Sequence, residues 1–165
     1  MKLSKIIDVV ADEIQAPNDY SDNKFKVFLS GSIDMGAAED WQAKVVAALD
    51  SNNIEILNPR REDWDSSWEQ SLEDERFVEQ VEWELNGLED ADLILVYFDP
   101  NGEAPITLME LGIHTKDKAD KMIVCCPEGY FRKGNVDVMC RKYGIQQADN
   151  IDELIEEAQK KILNF

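Results

Sequence analysis

Short apolar runs alternate along the chain with segments of helical periodicity, and this alternation limits the fold more than any other feature. The apolar runs have the length of buried strands and cover residues 26–29, 54–57, 93–98 and 122–126. The helical patterns between them cover residues 37–49, 73–88 and 105–116. Strands that alternate with helices form a parallel sheet with helices on both faces. We therefore expect an α/β protein with three layers and a parallel sheet of about five strands.

The two ends of the chain add further elements to this plan. Residues 3–16 carry apolar side chains at helical spacing, which predicts an extra N-terminal helix before the first strand. Residues 136–143 predict a short helix, residues 144–147 a strand at the sheet edge, and residues 151–163 a closing helix. We expect a helical extension over residues 1–23 and one domain over residues 24–165, because a chain of 165 residues encloses a single core.

The composition argues against nucleic acid, membranes and metal ions as partners. The formal net charge is −18, with 35 acidic against 17 basic residues, whereas a nucleic-acid polymer requires clustered lysine and arginine. No run approaches the roughly 20 apolar residues of a membrane span, and acidic residues interrupt the N-terminus before a signal-peptide core forms. Three cysteines without CxxC spacing and one histidine do not suggest a metal site. We expect a cytoplasmic protein that binds neither nucleic acid nor membrane and holds no metal.

In parallel sheets of this kind, ligands bind beyond the carboxyl ends of the strands, where the strand order reverses. The candidate binding residues in the loops after the first three strands are Ser30, Gly31, Ser32, Asp34, Asn58, Arg60, Trp64 and Asp99. Small residues let backbone N–H groups approach a sugar, and Trp64 offers a surface on which a nucleobase can stack. A structural interpretation stands beside this one: Gly31 serves a tight turn, and the aromatic residues pack a long loop onto the body of the protein.

Two glutamates, Glu110 and Glu84, are the candidate catalytic residues. Glu110 is the single charge within residues 106–113 of a helix that begins with Pro105, and a buried carboxylate without partners is costly. Glu84 lies beside the apolar face of the preceding helix and is able to project over the same strand ends, although most helix glutamates are simply solvated. Two carboxyl groups in different environments can divide the roles of nucleophile and acid when a glycosidic bond is cleaved with retention.

These residues also carry a family resemblance. The segments FLSGSID, NPRREDWD, FVEQVEWELNGLEDADLILVYF, PITLMELG and CCPEGYFRKGNVDV are similar to nucleoside 2-deoxyribosyltransferases and to a deoxyribosyltransferase-like branch of that family. The resemblance implies a flavodoxin-like, or Rossmann-like, three-layer sandwich. It also implies an enzyme of nucleoside salvage that acts on 2'-deoxynucleosides and nucleobases through a covalent glycosyl-glutamate, without a cofactor. Members are usually oligomers, so the resemblance implies a homo-oligomer, a dimer or larger.

The resemblance assigns individual residues. Glu110, in the ELG motif, corresponds to the nucleophile, and Glu84 stands where better-known members carry an aspartate that helps to bind and protonate the base. Asn135 corresponds to an asparagine that a neighbouring subunit lends to the sugar's 5'-hydroxyl, and Asp137 replaces a methionine beside it.

Three further positions depart from the family pattern. Phe28 replaces a tyrosine that steadies the nucleophile, and Ala104 replaces an aspartate. Asp34 follows a GSI sequence after which related nucleotide N-glycosidases carry residues for a phosphate, which favours nucleosides as substrates.

The expected activity is transfer of 2'-deoxyribose between nucleobases. Two alternatives remain open from the residues: a nucleoside or nucleotide N-glycosidase that transfers the sugar to water with the same carboxylates, and a non-catalytic nucleoside-binding module.

Overall fold

A computed structural model describes residues 11–33, 39–49 and 53–165. Six parallel strands form one sheet in the order β1-β3-β2-β4-β5-β6. The strands are β1 (Asp12–Gln15), β2 (Phe25–Gly31), β3 (Ile54–Asn58), β4 (Leu93–Tyr97), β5 (Met122–Cys125) and β6 (Gln146–Ala148). The helices are α1 (Trp41–Ala48), α2 (Glu75–Asp90), α3 (Pro105–His114), α4 (Lys133–Tyr143) and α5 (Ile151–Leu163).

The helices cover both faces of the sheet, as the alternation of elements predicts. One apolar core lies between the sheet and α2, α3 and α4, and it includes Phe28 of β2 and Leu111 of α3. The other core lies between the sheet and α1 and α5, and it includes Trp41 and Leu154. Strands β3-β2-β4-β5-β6 have the flavodoxin-like order, so the predicted fold class is confirmed.

The sheet contains one strand more than that order requires. Residues Asp12–Gln15 form β1, which pairs in parallel with β3 from Asp12 opposite Glu55 to Gln15 opposite Asn58. The predicted helix over residues 3–16 is therefore wrong for these four residues, and its first part, residues 3–10, lies outside the described residues. The backbone groups on the outer edge of β3 bond to β1, and this long-range pairing overrides a weak local preference for helix.

A connecting segment returns the chain from β1 to β2 across helix α2. The Nε1–H of Trp83 in α2 donates to the carbonyl of Asn18 at 2.9 Å. The Tyr20 ring meets the Trp83 ring edge-on with centroids 6.2 Å apart, and the Tyr20 hydroxyl donates to Asp90 at 2.8 Å. The segment between β1 and β2 is therefore fixed to the outer layer that carries Glu84.

The ends of the helices follow from their capping residues more closely than from apolar periodicity. Helix α1 begins at Trp41, because Asp40 caps it by accepting from the Ala43 N–H at 3.0 Å. Helix α2 begins at Glu75, two residues later than predicted, because Asp74 accepts from the Arg76 N–H. Within the part of the chain that is described, no helix combines the length and the apolar character needed to cross a membrane.

Candidate active site

The strand order reverses between β2 and β4, and the ends of these two strands are bonded together. The Ser32 N–H, just after β2, donates to the carbonyl of Tyr97 at 3.0 Å. The Asp99 N–H, just after β4, donates to the Ser32 hydroxyl at 2.8 Å. Both Ser32 and Asp99 are buried. Two predicted site residues thus join the ends of β2 and β4, at the position where folds of this kind bind ligands.

Glu110 points into this region from α3. Its side chain is only 7 % exposed, and its Oε2 accepts a hydrogen bond of 2.6 Å from the hydroxyl of Ser30 at the end of β2. The pKa of Glu110 is raised to about 8, mainly by burial and secondarily by the negative charge of Glu84, while the hydrogen bond from Ser30 opposes this rise. The free protein therefore holds Glu110 largely protonated at neutral pH.

Glu84 faces the same region from α2. Its Oε1 accepts from the side-chain amide of Gln80, one turn earlier in the helix, at 2.7 Å. Burial raises the pKa of Glu84 to about 7, against the stabilising effect of the Gln80 bond on the ionised form. Because each carboxyl group disfavours ionisation of the other, the two groups titrate as a coupled pair.

Two residues support Glu84, Gln80 directly and Arg61 through Gln80, and neither role was predicted from the sequence. Gln80 is buried, and the Arg61 Nη1 donates to its Oε1 at 3.2 Å. Arg61 is in turn held by Asp63, with bonds of 2.6 Å and 2.8 Å. The spacing of Gln80 and Glu84, four residues apart on a helix, is the signal that indicates this contact.

Gly31 serves packing. A Cβ at this position would lie 2.6 Å from the Trp41 ring and 2.6 Å from the Tyr97 carbonyl oxygen. The structural interpretation of Gly31 is thus sufficient to explain it. Gly87 of α2 has a similar role, because a Cβ there would lie 2.9 Å from the ring of Phe28.

One buried and one partly buried carboxyl group, both with raised pKa values and next to a hydroxyl donor at a strand-order reversal, form an arrangement suited to acid and nucleophilic chemistry. A comparison with protein-family models matches residues 24–130 to the model described as nucleoside 2-deoxyribosyltransferase like. The chain belongs to this family. A search of curated proteins finds no match. The family match includes Ser30, Glu84 and Glu110, and it ends before α4.

Two family departures have structural counterparts. Phe28 is fully buried, and its ring lies 6.2 Å from that of Trp83. Ser30, two residues along β2 and on the same face of the strand, supplies the hydroxyl that contacts Glu110. Ala104 adopts a left-handed conformation with φ 44° immediately before α3, and no side chain caps that helix. A hydroxyl contact to Glu110 is thus present on β2 two residues after Phe28.

Asn58 and Arg60 are engaged within the protein rather than with the two carboxyl groups. The Asn58 amide donates to Glu13 of β1 at 2.8 Å, and its oxygen accepts from the Arg60 N–H at 3.0 Å. The Arg60 guanidinium donates to the side-chain oxygen of Gln42 at 3.3 Å and lies 3.7 Å from Asp40. Both residues therefore connect the β3 loop to its neighbours. Asp34, the remaining predicted residue of the first loop, lies outside the described residues.

Trp64 packs against Trp68, with ring centroids 5.0 Å apart. Its indole N–H is buried and has no hydrogen-bond partner among the residues that the structure describes. The Arg61 guanidinium lies 5.0 Å from the centre of the Trp68 ring. The tryptophan pair is thus linked to Glu84 through Arg61 and Gln80.

Asn135 and Asp137 lie on α4, outside the residues matched to the family model. Asn135 is exposed. Asp137 accepts from Lys133 at 3.2 Å and from Gln147 at 2.8 Å, and it lines a groove of about 750 Å³ beyond the ends of β5 and β6. Neither side chain is bonded to Ser30, Glu84 or Glu110 within the described part of this single chain.

Proposed function

We propose that the protein is a nucleoside 2-deoxyribosyltransferase that moves 2'-deoxyribose between nucleobases through a covalent bond to Glu110. The observation that carries this proposal is a buried carboxyl group, Glu110, beside the partly buried Glu84 at the strand-order reversal, both with raised pKa values, in a chain of this family. Retaining transfer of a glycosidic bond needs one carboxylate as nucleophile and one carboxylic acid as proton donor.

In the first step, Glu110 attacks C1' of the bound deoxynucleoside. Its Oε2 is bonded to Ser30, so Oε1 is the oxygen available for the new bond to C1'. The bond between C1' and the base nitrogen breaks as this bond forms, and Glu84, or a water that Glu84 orders, gives a proton to the departing base. The products of this step are a neutral base, a glycosyl ester of Glu110 and ionised Glu84.

The second step reverses the first. A nitrogen of the incoming base attacks C1', the ester bond to Glu110 breaks, and Glu84 takes the proton that the incoming base loses. Water in place of the second base would give hydrolysis, so exclusion of water determines which reaction dominates.

The proton must lie on Glu84 and the charge on Glu110 at the moment of attack. Near neutral pH the raised pKa values favour a pair that shares a single negative charge. Positive charge that develops on the deoxyribose stabilises ionised Glu110, and the Ser30 hydrogen bond acts in the same direction. Both effects move the proton towards Glu84.

The discriminating experiment is chromatography of the purified protein with deoxyinosine or thymidine, with and without adenine or cytosine. The proposal requires a new deoxynucleoside only when the second base is present. Free base without a new nucleoside indicates an N-glycosidase, and no change in any component indicates a binding module. Glu110→Ala is the control, and turnover comparable to that of the unmodified protein would remove Glu110 from the mechanism.

We also propose that the active form contains at least two copies of the chain, in contact through the outer face of α3. The large side chains on that face are Ile106, Met109 and Ile113, which are 54 %, 52 % and 53 % exposed. The other exposed residues of α3, Pro105 and Gly112, are also uncharged. In a chain of net charge −18, such an uncharged stripe lets two copies approach without like-charge repulsion.

Association through this stripe is consistent with a shared site, because the exposed Asn135 lies on the adjacent helix α4 and is open to a neighbour. Met109→Lys should reduce the mass measured by light scattering to that of one chain, since it places two ammonium groups in a desolvated contact. Leu163→Lys, at an 84 % exposed position of α5, is the matched control and should leave the mass unchanged. A single-chain mass for the unmodified protein would contradict the proposed assembly.

A further inference from the structure

Gln80 is a buried amide whose two ends both have partners. Its Nε2 donates to the Pro59 carbonyl at 3.1 Å and to Glu84 Oε1 at 2.7 Å, and its Oε1 accepts from Arg61 at 3.2 Å. The side chain is 3 % exposed. Buried polar groups that are fully paired in this way fix a single local conformation.

The partners allow only one orientation of the amide. A peptide carbonyl accepts hydrogen bonds and a guanidinium only donates them. Rotating the amide by half a turn would place its oxygen against the Pro59 carbonyl and its NH2 group against the Arg61 guanidinium. Pro59 and Arg61 together therefore direct the NH2 group of Gln80 towards Glu84.

We propose that Gln80 is a positioning residue that holds Glu84 in place for proton transfer and directs the transferable proton to Glu84 Oε2. This inference rests on the proposed function of Glu84 as the acid. Because Oε1 already accepts a hydrogen bond from Gln80, the carboxyl proton is carried by Oε2, the oxygen that no residue in the described part of the chain binds. Gln80 thereby determines which oxygen delivers the proton to the base.

Arg61 acts through Gln80. Asp63 holds its guanidinium with two bonds, and the ring of Trp68 lies against it at 5.0 Å. The loop that carries the tryptophan pair is therefore connected to the carboxyl groups by one continuous set of contacts. A substitution in that loop is therefore expected to alter the position of Glu84 by changing the orientation of the Gln80 amide.

The test is a carbon-13 NMR titration of the glutamate side-chain carboxyl groups in Gln80→Met, which keeps the length of the side chain and removes its polar atoms. An N–H donor favours the ionised carboxylate, so its loss raises the pKa of Glu84. We expect an upward shift of about one pH unit relative to the unmodified protein, as for the loss of one hydrogen bond to a charged group. The Glu84→Gln variant assigns the signal. Glu110 and its contact with Ser30 are unchanged in the Gln80 variants, so the comparison isolates the effect of the amide on Glu84.

Gln146→Met is the matched control. Gln146 donates to Glu157 at 2.6 Å near the last strand, away from α2 and α3, and its loss should leave the Glu84 titration unchanged. Gln80→Glu is the second variant, because it keeps the shape and the Arg61 contact, replaces the donor by an acceptor, and should raise the pKa of Glu84 further. An unchanged Glu84 titration in whichever of the two Gln80 variants is folded would overturn the proposal.

The titration requires no turnover, so this inference and the proposed function can fail separately. If transfer occurs, Gln80→Met should lower kcat by about tenfold with little change in KM, because the lost contact aids proton transfer in the transition state. The alkaline limb of the pH profile should move upward, since protonated Glu84 is the acid. An upward shift of the titration without any transferase activity would retain the contact and reject the reaction.

Discussion

The two faces of the sheet differ in how closely they follow the usual separation of apolar and polar groups. Under α1 and α5, the core consists of well-packed apolar residues such as Trp41 and Leu154, both fully buried. Under α2 and α3, Gln80 and Glu110 are buried as well. The exposed large apolar residues of α3 lie on the outside of this second layer. Helix α1 also buries a polar residue, the neutral Gln42, but α3 buries a carboxyl group, and this is the layer to which we assign the proposed function.

Helices α5 and α3 show the same contrast in their end residues. The Asn150 side chain caps α5, acidic residues occupy its first turn, and Lys160 and Lys161 occupy its last turn, as the helix dipole favours. Helix α3 has no side-chain cap and begins after Ala104 in a left-handed conformation. The capping and charge preferences thus account for both ends of α5, whereas α3 departs from them at its start, six residues before Glu110.

The largest expected effect is that of Glu110→Gln, which should reduce turnover by roughly a thousandfold or more, because it removes the nucleophile.

The same substitution should increase the free energy of unfolding at alkaline pH. The pKa of Glu110 is raised to about 8 in the folded protein, so folding is favoured by the protonated carboxyl and loses stability as the pH rises towards that value. The amide side chain of the Glu110→Gln variant does not ionise, so the variant does not lose this stability as the pH rises.

At pH 9 the Glu110→Gln variant should therefore be more stable than the unmodified protein by roughly 1–3 kcal/mol. The measurement is urea denaturation at pH 5 and pH 9. An equal stability difference at both values would contradict the assignment of a raised pKa to Glu110.

The second largest effect is expected for a substitution in the apolar core under α1 and α5. Leu154→Ala in α5 should reduce the free energy of unfolding by about 2–5 kcal/mol, because it leaves a cavity at a position with no exposure. Activity per folded molecule should not change. Denaturation and turnover measured on the same preparation test both statements, and a lower kcat in the folded fraction would show that the two faces are coupled.

A smaller effect is expected for Ser30→Ala. The serine hydroxyl donates to Glu110 at 2.6 Å and favours its ionised form, so its loss raises the pKa of Glu110 and moves the acidic limb of the rate profile to higher pH. We expect turnover at neutral pH to fall about tenfold. Ser30→Thr keeps the hydroxyl and should restore most of the activity. Equal loss in both variants would indicate a steric effect instead.

The smallest effect is expected for Ala104→Gly. Glycine adopts the left-handed conformation without steric cost, and this gain exceeds the entropy that glycine adds to the unfolded chain. The midpoint of urea denaturation should rise by an amount equivalent to less than about 1 kcal/mol. A lower midpoint would show that the methyl group of Ala104, which is 6 % exposed, contributes more through packing than it costs in strain.

The sequence predicts most of the sheet because its central strands are continuous apolar runs that permit few other structures. Strand β4, for example, is observed over Leu93–Tyr97 and was predicted over residues 93–98. Strand β1 was not predicted, because its pairing with β3 is a long-range interaction and Asp12–Gln15 contains a single large apolar residue. Apolar spacing alone does not distinguish such an edge strand from a helix.

The candidate site also contains features that the sequence predicts and contacts that it does not. Glu110 stands out in the sequence because it interrupts an apolar helix. The contact between Ser30 and Glu110 joins residues 80 positions apart, and no local pattern indicates it. Asn58 and Arg60 were correctly placed at strand ends, but their polar groups are engaged with Glu13 and Gln42, which sequence position does not reveal.

Two glycines at close contacts of β2, Gly31 at its end and Gly87 in the helix α2 packed on it, have a consequence for protein engineering. Gly31 brings the Trp41 ring against one side of the strand, and Gly87 brings α2 against Phe28 on the other. Both contacts leave no space for a methyl group, so they hold the strand that carries Ser30 within a narrow tolerance. A mutant library that seeks a new substrate range should therefore keep positions 31 and 87 constant and place its diversity in the loop after β5, away from the Arg61 contact with Gln80.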